Sequence, residues 1–194
     1  MRLQKGDPAH AFEKERAGLI YLAQKGVAVP EIVLSGEDYF VLADAGPTLV
    51  DLAETASGKT AFAAAGRALG QLHGAGLIHG RPAVRDICYQ DGKARFIDLE
   101  RFDPRRKSFF WQAMDVLIFS HSADVQWAEA PYLVETALAA YLETAPAGAK
   151  ARVGRLARGL FWLGALARGI AYFRPKSRDI RAYDLTLRRL SQWR

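Results

Sequence analysis

The sequence predicts an α+β fold in which a small mixed N-terminal region, residues 1–45, precedes a mainly helical remainder, residues 46–194. Three observations predict it. Apolar residues recur with helical periodicity after Gly46, and two pairs of short extended runs are each joined by a turn rich in Gly and Asp. Half of the 194 residues are hydrophobic, enough to fill a sizeable core in a chain of this length.

The first helix is expected from about Ala11 to Lys25, stopping at Gly26, with Phe12, Leu19 and Leu22 on one face. Glu15 shares that apolar stripe. Burying a carboxylate without a partner costs several kcal/mol, so a cation is expected beside it. "VAVPEIV" and "YFVLAD" read as two short strands joined by the turn "SGED", and Gly46-Pro47 marks the break between the two regions. "TLVDLAETA" and "KTAFAAAGRALGQLHGAG" read as helices, the second with Phe62, Ala65, Leu69 and Leu72 in register. Between them "SGKT", Ser57 to Thr60, imitates the end of a phosphate-binding loop. Such a loop needs a glycine where Ala53 stands and a strand before it, so Gly58 is read as a break between helices and Lys59 as surface.

"ICYQDGKARFIDLE" is expected to be a β-hairpin. Asp91-Gly92 separates its two extended runs, and both residue types tolerate the positive φ of a tight hairpin turn. Beyond Arg101 the chain reads as helical in "FWQAMDVLIFSHSA", "PYLVETALAAYLET", "AKARVGRLARGLFWLGALARGIAYF" and "RAYDLTLRRLSQW".

Composition narrows the function classes. One cysteine, Cys88, excludes an internal disulfide and a multi-cysteine metal site, and its apolar strand makes it a small buried hydrophobe. "MRLQKGDPAHAFEKE" has no apolar central region of the secretory type, so a cytoplasmic location is expected. "GLFWLGALARGIAYF" is interrupted by Arg168 and is shorter than the ~20 residues a bilayer crossing needs, which favours a buried helix. Charge is uneven: residues 150–194 hold twelve basic and two acidic side chains, a net +10, against −4 for residues 1–149. A basic face of this kind attracts anionic lipid, lipopolysaccharide or phosphorylated substrates, or is a solvated helical surface. No nucleic-acid motif accompanies it, and nucleic acid is not an expected partner.

The stretch "LHGAGLIHGRPAVRDICYQDGKARFIDLE" resembles the protein-kinase-like superfamily, and within it the compact bacterial branch of lipopolysaccharide core sugar (Kdo and heptose) kinases and aminoglycoside phosphotransferases. The resemblance implies a kinase-like fold with a reduced N-terminal lobe and a helical C-terminal lobe. It also implies ATP and Mg²⁺ as cofactors. In that frame "LHGAGLIHG" leads into the catalytic loop, Asp86 stands at the metal-binding Asn position, and "IDLE" resembles the acidic-ended metal motif, assigning Mg²⁺ to Asp86 and Asp98. "FEKERAGLIYL" resembles the helix whose Glu, here Glu15, pairs with a phosphate-positioning lysine. "VLADAGPTL" resembles the hinge, where adenine would meet the backbone near Ala43 to Ala45, and Asp115 resembles the helix Asp that supports the catalytic loop. His79 and His73 are expected to be structural core residues, and His10 and His121 ordinary polar positions.

Two departures accompany the resemblance. Lys5, ten residues ahead of Glu15, is either the phosphate-positioning lysine, in which case the Gly-rich cover over ATP is absent, or a surface residue. Arg81 stands where kinases carry the base, and arginine stays protonated and cannot accept a proton. Arg81 is therefore a clamp on the γ-phosphate, or a cation that pairs with Asp86 or Asp98 in place of metal, or a bystander to a displaced base such as Glu100. The expected function is an ATP-dependent phosphotransferase acting on a hydroxyl of a sugar or small molecule, with a lipopolysaccharide-sugar acceptor and peripheral contact with the inner membrane through the basic C-terminal region. A catalytically impaired nucleotide-binding protein or scaffold is the alternative.

Overall fold

A computed structural model describes residues 8–161 and 178–194, with side chains from residue 12 onward. Among these the chain is α+β. Helix α1 (Pro8–Gln24) leads to strands β1 (Ile32–Ser35) and β2 (Phe40–Leu42), followed by the single turn α2 (Leu49–Leu52) and helix α3 (Gly58–Gly74). A 3₁₀ turn (Val84–Asp86) runs into strands β3 (Ile87–Gln90) and β4 (Lys93–Phe96). Helices α4 (Phe109–Trp127), α5 (Pro131–Thr144), α6 (Ala149–Gly159) and α7 (Arg178–Ser191) follow. Most of the apolar stretch Gly159 to Phe173 and three of the twelve C-terminal basic residues, Arg168, Arg174 and Lys176, lie outside the described residues, as does Lys5.

The two sheets are separate antiparallel hairpins. In β3–β4 the register pairs Ile87 with Phe96 and Gln90 with Lys93, and the turn residues Asp91 and Gly92 take φ of 53° and 76°, the mirror-image turn that Asp-Gly favours. The β1–β2 pair carries an irregularity between Ile32 and Leu34 and leaves Val33, Leu34 and Val41 exposed. Residues 43–48 join it to the helical region, tied to β3 by the Tyr89 amide donating to the Pro47 carbonyl at 2.9 Å.

One continuous core unites α1 with the helices, because Leu19 and Leu22 pack in the same cluster as Leu49, Phe62, Leu69, Phe96, Leu99 and Phe102. Burying a leucine of this kind contributes roughly 1.5–3 kcal/mol relative to leaving it exposed. Helix α3 lies against α5 at close range. A Cβ at Gly66 would overlap the Ala137 carbonyl, and one at Gly70 would overlap Thr144 and the Tyr141 carbonyl, so small residues set this separation. Thr144 Oγ1 then donates to the Arg67 carbonyl at 2.9 Å across the pair. Thr48 and Asp51 form a capping box on α2, which holds the Asp51 carboxyl below its usual range through hydrogen bonds from the Thr48 hydroxyl and amide. The Ser57–Thr60 imitation of a phosphate loop is the start of α3: Gly58 is buried against the carbonyls of Leu52 and Ala53, and Lys59 is exposed.

Helix α3 ends where the chain must turn toward the loop that matters. Gly76, at φ 75°, lets its own amide reach the His73 carbonyl and the Leu77 amide reach the Leu72 carbonyl, satisfying the last turn. The segment from Ile78 to Ala83 follows directly.

Candidate functional site

The loop Ile78–Ala83 is held from beneath by α4. Asp115, 1% exposed, accepts from the His79 amide at 2.6 Å and the Gly80 amide at 2.9 Å. Its Oδ2 also lies 3.3 Å from His73 Nε2, while His73 Nδ1 is 3.0 Å from the Tyr141 hydroxyl. A buried carboxylate is tolerated because amides and an imidazole surround it. Gly80, at φ 94°, presses against the Arg101 backbone, and the Val84 amide donates to Ser122 Oγ at 3.0 Å. The loop is thus fixed to α4 at two places and to the segment after β4 at a third.

His79 is wholly buried and packs edge-on against Phe96. Its Nδ1 accepts from the Arg81 amide at 3.4 Å, and the Ile97 backbone hydrogen-bonds to the ring. The expectation of a structural core histidine holds. Burial lowers its pKa, partly offset by the Asp115 and Asp98 charges and by backbone hydrogen bonds. Cys88 is buried in β3 as expected, and burial pushes its thiol pKa up. His121, read as an ordinary polar position, is half-buried on α4 with its pKa lowered by that burial, and its ring meets Tyr183 edge-on.

The hairpin brings Asp86 and Asp98 to one end. Asp86 precedes β3, and its carbonyl accepts from the Ile97 amide at 3.0 Å, extending the ladder one bond past Phe96. Asp98 then takes φ 56°, a left-handed conformation that costs a non-glycine residue about 1 kcal/mol and redirects its side chain. The Arg81 guanidinium meets Asp98 Oδ2 directly through Nη2, and the same nitrogen lies 3.8 Å from Asp86 Oδ2. Arg85 reaches Asp86 Oδ1 at 3.5 Å. Three buried polar atoms at this junction have no hydrogen-bond partner: Arg81 Nε, Asp86 Oδ2 and Asp98 Oδ1.

Glu15 reaches the same place from α1. It accepts a hydrogen bond from the Leu99 amide and feels the charges of Asp98 and Glu100; partial burial and these charges raise its pKa. Among the described residues no cation pairs with it, and Lys5 lies outside them. Within the described chain Glu15 therefore meets a backbone amide and two carboxylates.

The Asp86 carboxyl is also pushed up, first by desolvation and then by Asp98, with Arg81 and Arg85 offsetting part of the shift. A raised pKa means the native state holds this proton more tightly than the unfolded chain. The associated stability is fully present below the ordinary value of 3.8 and is lost as pH rises through the folded value. Asp86→Asn should therefore melt a few degrees higher than the parent chain at neutral pH, with the gain shrinking as pH falls toward 3.8. Melting curves across that range check it; a destabilised Asn variant at neutral pH would show that the arginine pairs outweigh the desolvation.

Of the hinge residues, Ala43 cannot offer its amide to an adenine, because that N–H already donates to the Glu31 carbonyl at 2.8 Å. Beside it, the Asp44 carboxylate accepts from the Gly46 amide at 2.9 Å.

Asp124 is a residue that sequence reading missed. It is 2% exposed on α4, accepts from Thr186 at 2.6 Å, and pairs with Arg189 at 2.7 Å, which ties α4 to α7. A carboxylate nine positions after Asp115 in the same apolar helix was the available signal.

Magnesium is held by one or two carboxylates together with substrate phosphates, without a protein cage. Among the described residues no group of three or more His, Cys, Asp or Glu side chains is arranged to hold a metal ion by itself. The two oxygens that accept no hydrogen bond, Asp86 Oδ2 and Asp98 Oδ1, fit the carboxylate share of such a site, and Arg81 already stands on the other oxygen of Asp98. Among the described residues no helix is long and apolar enough to cross a membrane.

No protein-family model matches the chain. A Haemophilus influenzae protein described as "Uncharacterized protein" is similar, at 32% identity over 126 residues, 62% of this chain and 52% of the relative. The chain spans about half the length of the curated relative it matches.

Proposed function

We propose that the chain adopts a protein-kinase-like fold and transfers the γ-phosphoryl group of magnesium ATP to a hydroxyl of a sugar or other small molecule. The acceptor class to which the sequence resemblance points is a lipopolysaccharide core sugar. The observation that carries this reading is the convergence of Asp86 and Asp98 at Arg81, with one buried oxygen on each carboxylate that accepts no hydrogen bond. Strain at Asp98 and the Asp115 clamp under the loop support it, since both spend stability or buried charge on holding this geometry.

In this reading a magnesium ion, if bound, would supply positive charge to offset what develops on the transferring phosphoryl group. Asp86 and Asp98 supply its carboxylate ligands. The bond from the γ-phosphorus to the β–γ bridging oxygen breaks as the bond to the acceptor oxygen forms, and the acceptor proton departs to solvent late, because a dissociative transition state needs little general base. Arg81 exchanges Asp98 for a phosphate oxygen and stabilises charge there as a fixed cation. Glu15 orients the segment after β4 through the Leu99 amide. The Ala43 carbonyl and Ala45 amide receive the adenine edge. An acceptor on the cytoplasmic face of the inner membrane would draw on the basic region of residues 150–194.

One observation favours the alternative of a nucleotide-binding pseudokinase or scaffold. The Arg81–Asp98 pair puts a cation where the metal charge would act. Thermal unfolding with ATP, with and without Mg²⁺, separates the possibilities. At about 100 times Kd a ligand specific to the folded state adds roughly 2.7 kcal/mol. For a chain of this size that is a rise of about 5–10 °C. A metal-dependent rise together with ATP consumption in the presence of a sugar pool supports transfer. The rise without consumption favours the scaffold, and no rise overturns both.

A further inference from the structure

We infer that the segment Arg105–Trp111, at the start of α4, is an interfacial anchor that docks the protein on an anionic lipid surface. Phe109 is 58% exposed, Phe110 52% and Trp111 39%, three consecutive aromatic side chains in an otherwise well-buried helix. Arg105, Arg106 and Lys107 precede them, all exposed, and Arg152 of α6 reaches over the Phe109 ring at 4.0 Å while Arg106 stands over Trp111 at 5.3 Å. The acid within the patch, Asp103, is paired with Arg105 at 3.1 Å, which leaves the remaining cations in excess.

Two physical arguments choose a membrane surface over a protein groove. Consecutive helix positions are about 100° apart, so three of them fan over roughly 200° of the first turn. A single rigid groove accommodates one face, whereas the fluid region beneath lipid headgroups closes around a protruding wedge on all sides. Second, cations held at the level of aromatic rings match the layering of that region, with rings at headgroup depth and positive charge at the phosphates. The docking does not depend on any phosphotransfer activity.

Flotation of the purified chain with vesicles tests the inference, comparing phosphatidylcholine alone with phosphatidylcholine mixed with phosphatidylglycerol. The parent chain is expected to float with the anionic vesicles and to be released as salt rises. Phe110→Ser/Trp111→Ser and Arg106→Glu/Lys107→Glu should each weaken binding about tenfold or more, because each removes buried apolar area or two favourable charges. Two controls keep the outcome specific. Val33→Ser/Leu34→Ser removes exposed apolar side chains on β1 and should bind as the parent does, and Arg155→Glu/Arg178→Glu removes equivalent charge from the basic C-terminal region and should lose less binding than either patch variant. Unchanged melting curves show that the variants fold. Absence of flotation by the parent, equal losses in the controls, or self-association that the patch variants abolish without any vesicle binding would each overturn the inference.

Discussion

Asp98→Ala is expected to remove the magnesium-dependent part of the ATP-induced rise in melting temperature and to lower ATP turnover by about 10³-fold or more. The expectation rests on one oxygen. Asp98 Oδ1 is buried without a hydrogen-bond partner, Oδ2 is taken by Arg81, and the neighbouring Asp86 Oδ2 is likewise without a hydrogen bond. Removing one carboxylate leaves Asp86 alone beside a guanidinium, a net charge too small to hold a hard divalent cation against water. Losing electrostatic stabilisation of transferring phosphoryl groups typically costs ~10²–10³ in rate, and loss of metal adds to it. Arg81→Ala sharpens the result. If Arg81 clamps a phosphate, turnover falls about 10²-fold while magnesium-dependent stabilisation persists. If it stands in for the metal, the variant binds magnesium nucleotide more tightly than the parent and gains no activity. An Asp98→Ala chain that still shows a full metal-dependent rise would place the metal elsewhere.

The second large effect is on folding and is independent of any activity. Asp115→Ala should cost about 3–5 kcal/mol, because it strands the His79 and Gly80 amides, each worth ~1–3 kcal/mol when buried unpaired, and frees His73 Nε2. For a chain of this size the melting temperature should fall by roughly 10 °C. Asp115→Asn keeps one acceptor oxygen and introduces a donor that faces two donors, so it should lie between Ala and the parent. Urea unfolding of the three chains checks the order. Equal stability of Asp115→Ala and parent would show that solvent or a rearranged loop satisfies both amides.

The pattern of elements was legible because local rules suffice for it. Helix α5 begins at Pro131, a residue preorganised for a first helical position, and runs to Thr144 as its apolar spacing suggests. The β3–β4 turn at Asp91-Gly92 follows from two residue types that accept positive φ. The convergence of Asp86 and Asp98 was also readable, since an antiparallel fold-back returns the ends of a hairpin to each other. Helix α2 was read too long: its capping box secures one turn, and the chain leaves the helix after Leu52 because Gly58 packs on the Leu52 and Ala53 carbonyls.

What pairs with what was decided only by the tertiary structure. The Ala43 amide is spent on Glu31, and Glu15 faces Leu99 and two carboxylates instead of a cation within the described residues. Asp124 holds Thr186 and Arg189 across more than sixty positions of sequence. Phe109, Phe110 and Trp111 belong to a segment whose periodicity reads as core, yet all three are exposed while the rest of α4 is largely buried. The sequence by itself determined which segments are helix or hairpin and which carboxylates meet, because those follow from spacing along one chain. Only the tertiary structure decided that Arg81 faces Asp98, that Asp115 carries the loop, and which apolar side chains stay in water, because each depends on groups that sequence distance does not relate.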